Sequence, residues 1–239
     1  MKIRIKIIEL LIHINEYLFF IPKLSKFYKK QTDLYKPIIF DVGANKGQSI
    51  DLFLNFFKNP TIYAFEPNPT LCHYLKKKYI NDKNIHIINK GVSETTGIMK
   101  FYETVTDETS TFEELNYNSN YLKKKALVLG VNIENVISKT YDVEVVSLKD
   151  FIMQNNISKV DLLKIDTEGH EYKCLLGLFD SNVVNPIYIQ LESHNDDMYI
   201  NHNEIYESEI YLIKNKYKKI ITINHGFGDF DEVIYKLNS

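Results

Sequence analysis

The chain has 239 residues, with 29 Lys and Arg against 31 Asp and Glu, a formal net charge of −2, 44% hydrophobic residues and 25% charged ones. That composition excludes wholesale disorder, a collagen-like chain and an integral membrane bundle, and it lacks the basic excess of a dedicated nucleic-acid binder. A chain of this length buries a large core without staples; Cys72 and Cys174 belong to no CxxC or Cys/His pattern and read as two reduced thiols.

Residues 1–35 read as an amphipathic helical extension. Lys2, Arg4 and Lys6 precede an apolar run at 7–21, and Lys23, Lys26, Lys29 and Lys30 follow it. Glu9, His13, Asn15 and Glu16 interrupt the run, which speaks against a signal peptide. It is also too short and too polar to span a bilayer. Two readings remain: a helix packed on the domain or on a second subunit, and a basic-flanked helix lying on an anionic membrane surface. The narrow polar face favours packing. The expected location is the cytoplasm, with contact to the inner face of the membrane and homo-oligomerisation left open.

From residue 36 onward apolar runs alternate with helical patterns. Strands are predicted at 38–42, 61–65, 85–89, 160–165, 187–191, 218–223 and 232–236, and helices at 47–57, 69–79, 148–155, 169–178 and 203–214. The first five strands are continuous apolar runs, as in a parallel sheet buried on both faces. The alternation predicts an α/β doubly wound sheet. The last two strands are too close for a crossover and predict an antiparallel hairpin. The pattern breaks at 97–147, where 97–103 and 142–146 read as two added strands around a polar stretch at 104–141. A segment of that length inside a compact domain reads as a lid or binding loop. The whole of 36–239 reads as one domain.

Asp41-Val42-Gly43-Ala44-Asn45-Lys46-Gly47 ends the first strand and opens the first helix. Glycines at such a turn let backbone approach a ligand, at the edge where open α/β sheets bind ligands. Asn45 stands where a dinucleotide fingerprint has its second glycine, so a cofactor without a diphosphate fits better than NAD. Glu66, at the end of the second strand, can accept hydrogen bonds from a ribose. Asn68 can cap the next helix, with Pro69 at its first position.

DVGANKG, FEPNP and LLKIDTEGHE, in this order and spacing, resemble the FkbM-family methyltransferases, class I enzymes that use S-adenosylmethionine. The resemblance covers about 37–194. It implies a Rossmann-like sheet of seven strands, the last antiparallel. It implies that Asp41, Gly43, Asn45 and Gly47 line the methionine part of the cofactor and that Glu66 holds the ribose. Asn89, Gly91 and Ser93 resemble the adenine-side loop, and Asp166 would face the methionine amino group or the acceptor. His170 stands where the family often has a small residue. The 104–141 segment matches the family only at Ser110-Thr111, so acceptor specificity is not inherited.

O-methyl transfer needs aligned reactants and a group to take the acceptor's proton. Asp166, Glu168 and His170 follow one strand; Glu192 and His194 follow the next. Asp166, Glu168 and His194 are the catalytic candidates, with His194 as a base. Asp166, Glu192 and His194 could also hold a divalent ion, although metal-independent catalysis is the default. Glu171 and Tyr172 read as structural, and His225 as a loop residue. Phe112, Tyr117 and Tyr121 suit stacking on a sugar, and Lys123-Lys124-Lys125 reads as a solvated helix face. The function expected is O-methylation of a saccharide, such as a bacterial surface-polysaccharide unit or its nucleotide-linked precursor. A lipid-linked or small-metabolite acceptor is the alternative, ahead of an NAD-dependent oxidoreductase or an inactive scaffold.

Overall fold

The computed structural model describes residues 10–11, 14–31, 34–106, 109–179, 183–194, 196–200, 204–225 and 230–238, with the side chains of 194, 204, 205 and 230 outside that description. In chain order the elements are α1 (Ile21–Tyr28, entered through a π-helical turn at Glu16–Phe20), β1 (Ile38–Val42), α2 (Gln48–Phe56), β2 (Thr61–Phe65), α3 (Pro69–Lys78), β3 (Ile85–Ile88), β4 (Gly91–Val92), β5 (Gly97–Thr104), α4 (Asn120–Leu129), β6 (Ile137–Val146), α5 (Leu148–Gln154), β7 (Leu162–Ile165), α6 (Glu171–Leu176), β8 (Tyr188–His194), α7 (Glu204–Lys214), β9 (Tyr217–Asn224) and β10 (Phe230–Leu237).

Seven strands form the main sheet in the order β3-β2-β1-β7-β8-β10-β9. β3 through β8 pair in parallel, while β10 runs antiparallel to both neighbours. This is the doubly wound sheet with an antiparallel last strand that the apolar runs and the resemblance both implied. Strand alternation sorts the core into two faces. Ile39, Ile62 and Leu162 pack with Phe53 of α2, Leu75 of α3 and the α1 residues Leu24, Phe27 and Tyr28. Phe40, Leu163 and Ile189 pack with Phe151 of α5, Leu175 of α6 and Leu212 of α7. The sheet is therefore covered on both sides, which is why its central strands carry no polar alternation.

The N-terminal helix is part of this third layer. Tyr28 lies between the rings of Phe53, Phe56 and Phe57, and its hydroxyl donates to Gln190 Oε1 at 2.5 Å. Tyr188 in turn donates to Gln31 at 3.0 Å. Packing on the domain thus accounts for the second half of the extension. No helix among the described residues is long and apolar enough to cross a membrane.

The segment 97–147 departs most from its sequence reading. β5 and β6 pair antiparallel, and β4 joins them in a separate three-stranded sheet. β6 begins at Ile137, five residues before the apolar stretch, because its first half is solvent-facing and carries no alternation. The polar stretch is no open loop. It contains α4, capped by the Ser119 side chain on Leu122 N and closed by Gly130 at φ 73. Leu115, Leu122, Ala126 and Val136 build a small core with Met198 and Tyr199. The Ser and Gly signals at its two ends were present in the sequence, but the lysine run between them masks the amphipathic pattern.

Leu24 is 2% exposed in the α1 layer, and emptying such a site costs about 2–5 kcal/mol. Leu24→Ala is expected to lose that amount in urea unfolding. A loss below ~0.5 kcal/mol would show that α1 does not contribute to the core.

Candidate active site

Chain order reverses between β1 and β7, and the strand ends at this switch point form the ligand edge of such sheets. The turn after β1 is built first by packing. Gly43 has φ +82, and a Cβ there would lie 1.8 Å from the Asp166 carbonyl oxygen. Gly47 has φ +83, and its Cβ would meet the Tyr79 hydroxyl at 2.5 Å. That hydroxyl has two acceptors within reach of its single proton, the Gly47 carbonyl at 3.0 Å and Asp51 Oδ1 at 2.8 Å. Both glycines are therefore required by the close approach of β7 and α3, a reason the sequence pattern did not show. Asn45 also takes a left-handed conformation, φ 46, one that Asn tolerates better than most residues.

Glu66 is the anchor of the turn. Its Oε2 accepts from Asn45 N and its Oε1 from Asn68 N, both at 2.8 Å. Asn68 caps α3 by accepting from Thr70 N and Leu71 N, as its place before Pro69 predicts. Asn89 Nδ2 donates to the carbonyls of Glu66 and Pro67, so it holds the loop that presents Glu66. A carboxylate offers about four acceptor positions. A backbone-oriented one beside a glycine turn has the chemistry a ribose diol requires, so the residues present fit a ribosyl cofactor.

Beneath this edge lies a buried charge cluster. Lys164 of β7 is 6% exposed; its ammonium lies 2.9 Å from Asp166 and 3.7 Å from Asp41. Burial opposes the ammonium's charge, but Asp166, Asp41 and Glu232 outweigh it and hold its pKa above the ordinary lysine value. Asp41 is fully buried and accepts from Ser49 Oγ at 2.6 Å. Burial raises its pKa, against the opposing pull of Lys164 and Ser49.

On the acceptor side, Asp166, Glu168 and Glu192 each offer a carboxylate oxygen within 4.8 Å of the others, an arrangement that could hold a metal ion. The sequence points instead to Asp166, Glu192 and His194 for such a site. His194 ends β8, paired with Phe230, and its side chain lies outside the described residues. Glu168 has φ 57, a strained conformation for a non-glycine residue. Tyr199 donates to its carboxylate and Thr111 to its carbonyl, at 2.8 and 2.7 Å. The Tyr199 ring fills the space where a side chain on Gly169 would stand. Glu171 accepts from Thr167 N, Thr167 Oγ1 and Gly169 N and is structural, as read from its place in the helix.

His170 points away from these carboxylates. It is fully buried, with Nδ1 2.6 Å from Glu113 and Nε2 3.0 Å from Ser93. Lys173 donates to the same Glu113 oxygen at 2.8 Å. Burial alone would raise the Glu113 pKa, but the hydrogen bonds from His170 and Lys173 outweigh it and hold the carboxyl below its ordinary value. Ser93 is thus turned inward, and Gly91 lies against Phe112, where a Cβ would be 2.3 Å from the ring. Phe112 is itself buried, its ring tilted against those of Phe101 and His170, and is not available to a sugar ring; Tyr117 is exposed. Sequence reasoning missed Lys164, Glu113 and Tyr199, and had Thr111 only as part of the Ser110-Thr111 match to the family. Lys164 had a signal, a lone lysine inside a run of buried apolar residues.

The methyltransferase FkbM domain family matches residues 41–232. Among curated proteins, the 31-O-demethyl-FK506 methyltransferase FkbM of Streptomyces tacrolimicus is 28% identical over 174 residues, covering 67% of this chain and 66% of that protein. Methyltransferase 1 of Beauveria bassiana is 26% identical over 151 residues, covering 60% and 59%. The chain thus spans under two thirds of the length of these relatives. A solved rRNA methylase from Streptococcus thermophilus shares 9% identity over 90% of this chain and 95% of its own, with a TM-score of 0.48.

Charge-assisted hydrogen bonds contribute about 1.5–3 kcal/mol each. Glu66→Ala should therefore bind S-adenosylhomocysteine roughly tenfold or more weakly in calorimetry; unchanged affinity would remove Glu66 from the ribose site. The depressed pKa of Glu113 gives a second test. Its stabilisation is present above the unfolded glutamate pKa of about 4.3 and is lost as pH falls through the lower folded value. Glu113→Gln should melt below the parent at neutral pH and converge with it in acid. A melting difference independent of pH would refute the Glu113–His170–Lys173 assignment.

Proposed function

Because the chain belongs to the FkbM methyltransferase family, we propose that it transfers the methyl group of S-adenosylmethionine to a hydroxyl of a saccharide, such as a surface-polysaccharide unit or its nucleotide-linked precursor. The observation that carries this reading is the convergence of Asp166, Glu168 and Glu192 at the ends of β7 and β8. Three neighbouring carboxylates beside the glycine turn accept hydrogen bonds from a polyhydroxylated molecule and offer a proton acceptor to one of its hydroxyls. The name of the Streptomyces relative specifies an oxygen-linked methyl group, which favours oxygen as the acceptor atom here.

S-adenosylmethionine supplies, when bound, an electrophilic methyl group on a sulfonium. The protein's part is to hold and orient. Glu66 would receive the ribose hydroxyls, and the turn at Gly43–Gly47, with Asp41 and Asp166, would hold the amino-acid end. Glu168, fixed by Tyr199 and Thr111, takes the proton from the acceptor hydroxyl. His194 at the end of β8 is the imidazole that would share this role. Lys164 lies against Asp166 and Asp41 and opposes the rise that burial gives the Asp41 pKa.

Calorimetric titration with S-adenosylhomocysteine and with NAD tests the cofactor. Binding of the first alone is expected; binding of NAD, or of neither by folded protein, would overturn the reading. Methyl transfer to a panel of nucleotide sugars and glycan fragments tests the acceptor. Transfer only to lipid-linked or non-sugar hydroxyls would replace the saccharide. With an acceptor in hand, Glu168→Gln should lower turnover about 100-fold or more while S-adenosylhomocysteine affinity stays within a few-fold. Full activity would exclude Glu168 as the proton acceptor.

A further inference from the structure

The part of the N-terminal helix that precedes α1 shows an apolar face that the domain does not cover. Leu10, Leu11, Ile14, Tyr17, Leu18 and Phe19 are between 46% and 71% exposed. Their outward direction is set by the opposite side of the same helix. Asn15 is buried and donates to the His225 carbonyl. Phe20 is buried and stacks on the His225 ring at 3.8 Å, and Leu24, Phe27 and Tyr28 continue the anchor into the core. Turning the six residues inward would require breaking those contacts.

Charge says what covers this face. Residues 1–30 carry seven Lys or Arg against two Glu, a net +5, whereas the whole chain is −2 and the remainder is therefore −7. Lys23, Lys26, Lys29 and Lys30 are exposed where the helix continues. An apolar face with aromatic residues, set in the basic part of an otherwise acidic protein, is complementary to an anionic lipid surface. A second copy is a poorer occupant, because a two-fold contact would bring two such basic segments together. The helix also runs antiparallel to the parallel strands. Asn15 meets His225, just beyond the C-terminal end of β9, and Gln31 meets Tyr188 at the start of β8. The apolar face therefore stands at the same end of the sheet as Asp166 and Glu192.

We infer that residues 10–30 form a docking surface for an anionic membrane leaflet, on which the protein lies peripherally with its ligand-binding edge toward the headgroups. This inference does not depend on the acceptor or on methyl transfer. The test is co-sedimentation of the full chain with vesicles of phosphatidylcholine alone and of phosphatidylcholine with phosphatidylglycerol in equal parts. Binding to the anionic vesicles is expected, weakened by salt and by Lys26→Glu/Lys29→Glu. Leu11→Glu/Leu18→Glu should weaken it about tenfold or more with an unchanged thermal melt, since both side chains are exposed. Absence of binding to anionic vesicles, or equal binding by the parent and both double variants, would overturn the inference. So would a concentration-dependent dimer in sedimentation that the Leu11→Glu/Leu18→Glu variant abolishes.

Discussion

Lys164 places an ammonium group in the middle of a parallel sheet, 2.9 Å from Asp166 and 3.7 Å from Asp41. Its strand is hydrogen-bonded to β1 on one side and β8 on the other. A charge in such a position persists only because its partners are there, and removing one partner of a buried pair costs about 3–5 kcal/mol. The pair constrains everything around it. Asp41 and Asp166 must end adjacent strands, the strands must run in parallel register, and the turn after β1 must pass against the Asp166 carbonyl. Only a glycine at position 43 allows that passage. The chemistry of the edge and the topology of the sheet are thus one constraint.

The insertion at 97–147 serves the opposite side of the same edge. Thr111 bonds the Glu168 carbonyl, Glu113 bonds His170, and His170 reaches Ser93 just after β4. Leu115 bridges to Tyr199, whose hydroxyl holds the Glu168 carboxylate. A buried, hydrogen-bonded network of this kind favours one arrangement over its alternatives. Through it, the segment after β4, the insertion, the β7–α6 turn and the segment after β8 share a single geometry. His170 is buried at the centre of this network, between Glu113 and Ser93. The strain at Glu168 is sustained by the same contacts.

The N-terminal helix divides at Phe20. Beyond it, buried aromatic and aliphatic residues complete one layer of the domain; before it, the same helix turns large apolar side chains to solvent. Packing accounts for the half beyond Phe20, and the proposed membrane contact concerns the half before it. His225 joins them. It is buried under Phe20, near Glu16 and Glu232 at 3.9 and 4.0 Å, and not the plain loop residue its neighbours in sequence suggest.

Local information was enough for the frame. Continuous apolar runs specify strands covered on both faces, and a short polar link specifies the hairpin. An Asn-Pro pair specifies a helix start. Strand, glycine turn and acid in that order place the turn at the edge where such sheets bind ligands, because each depends on neighbouring residues alone. Tertiary structure decided which side chains share that edge. The sequence groups five titratable residues after β7 and at the end of β8, but the backbone turns His170 inward to Glu113, 57 residues away, and leaves Asp166, Glu168 and Glu192 together. It also decided that Gly43, Gly47 and Gly91 are glycines because Asp166, Tyr79 and Phe112 press against them. Side-chain direction at a turn follows from backbone angles and from partners brought together by folding, and no spacing along the chain encodes either.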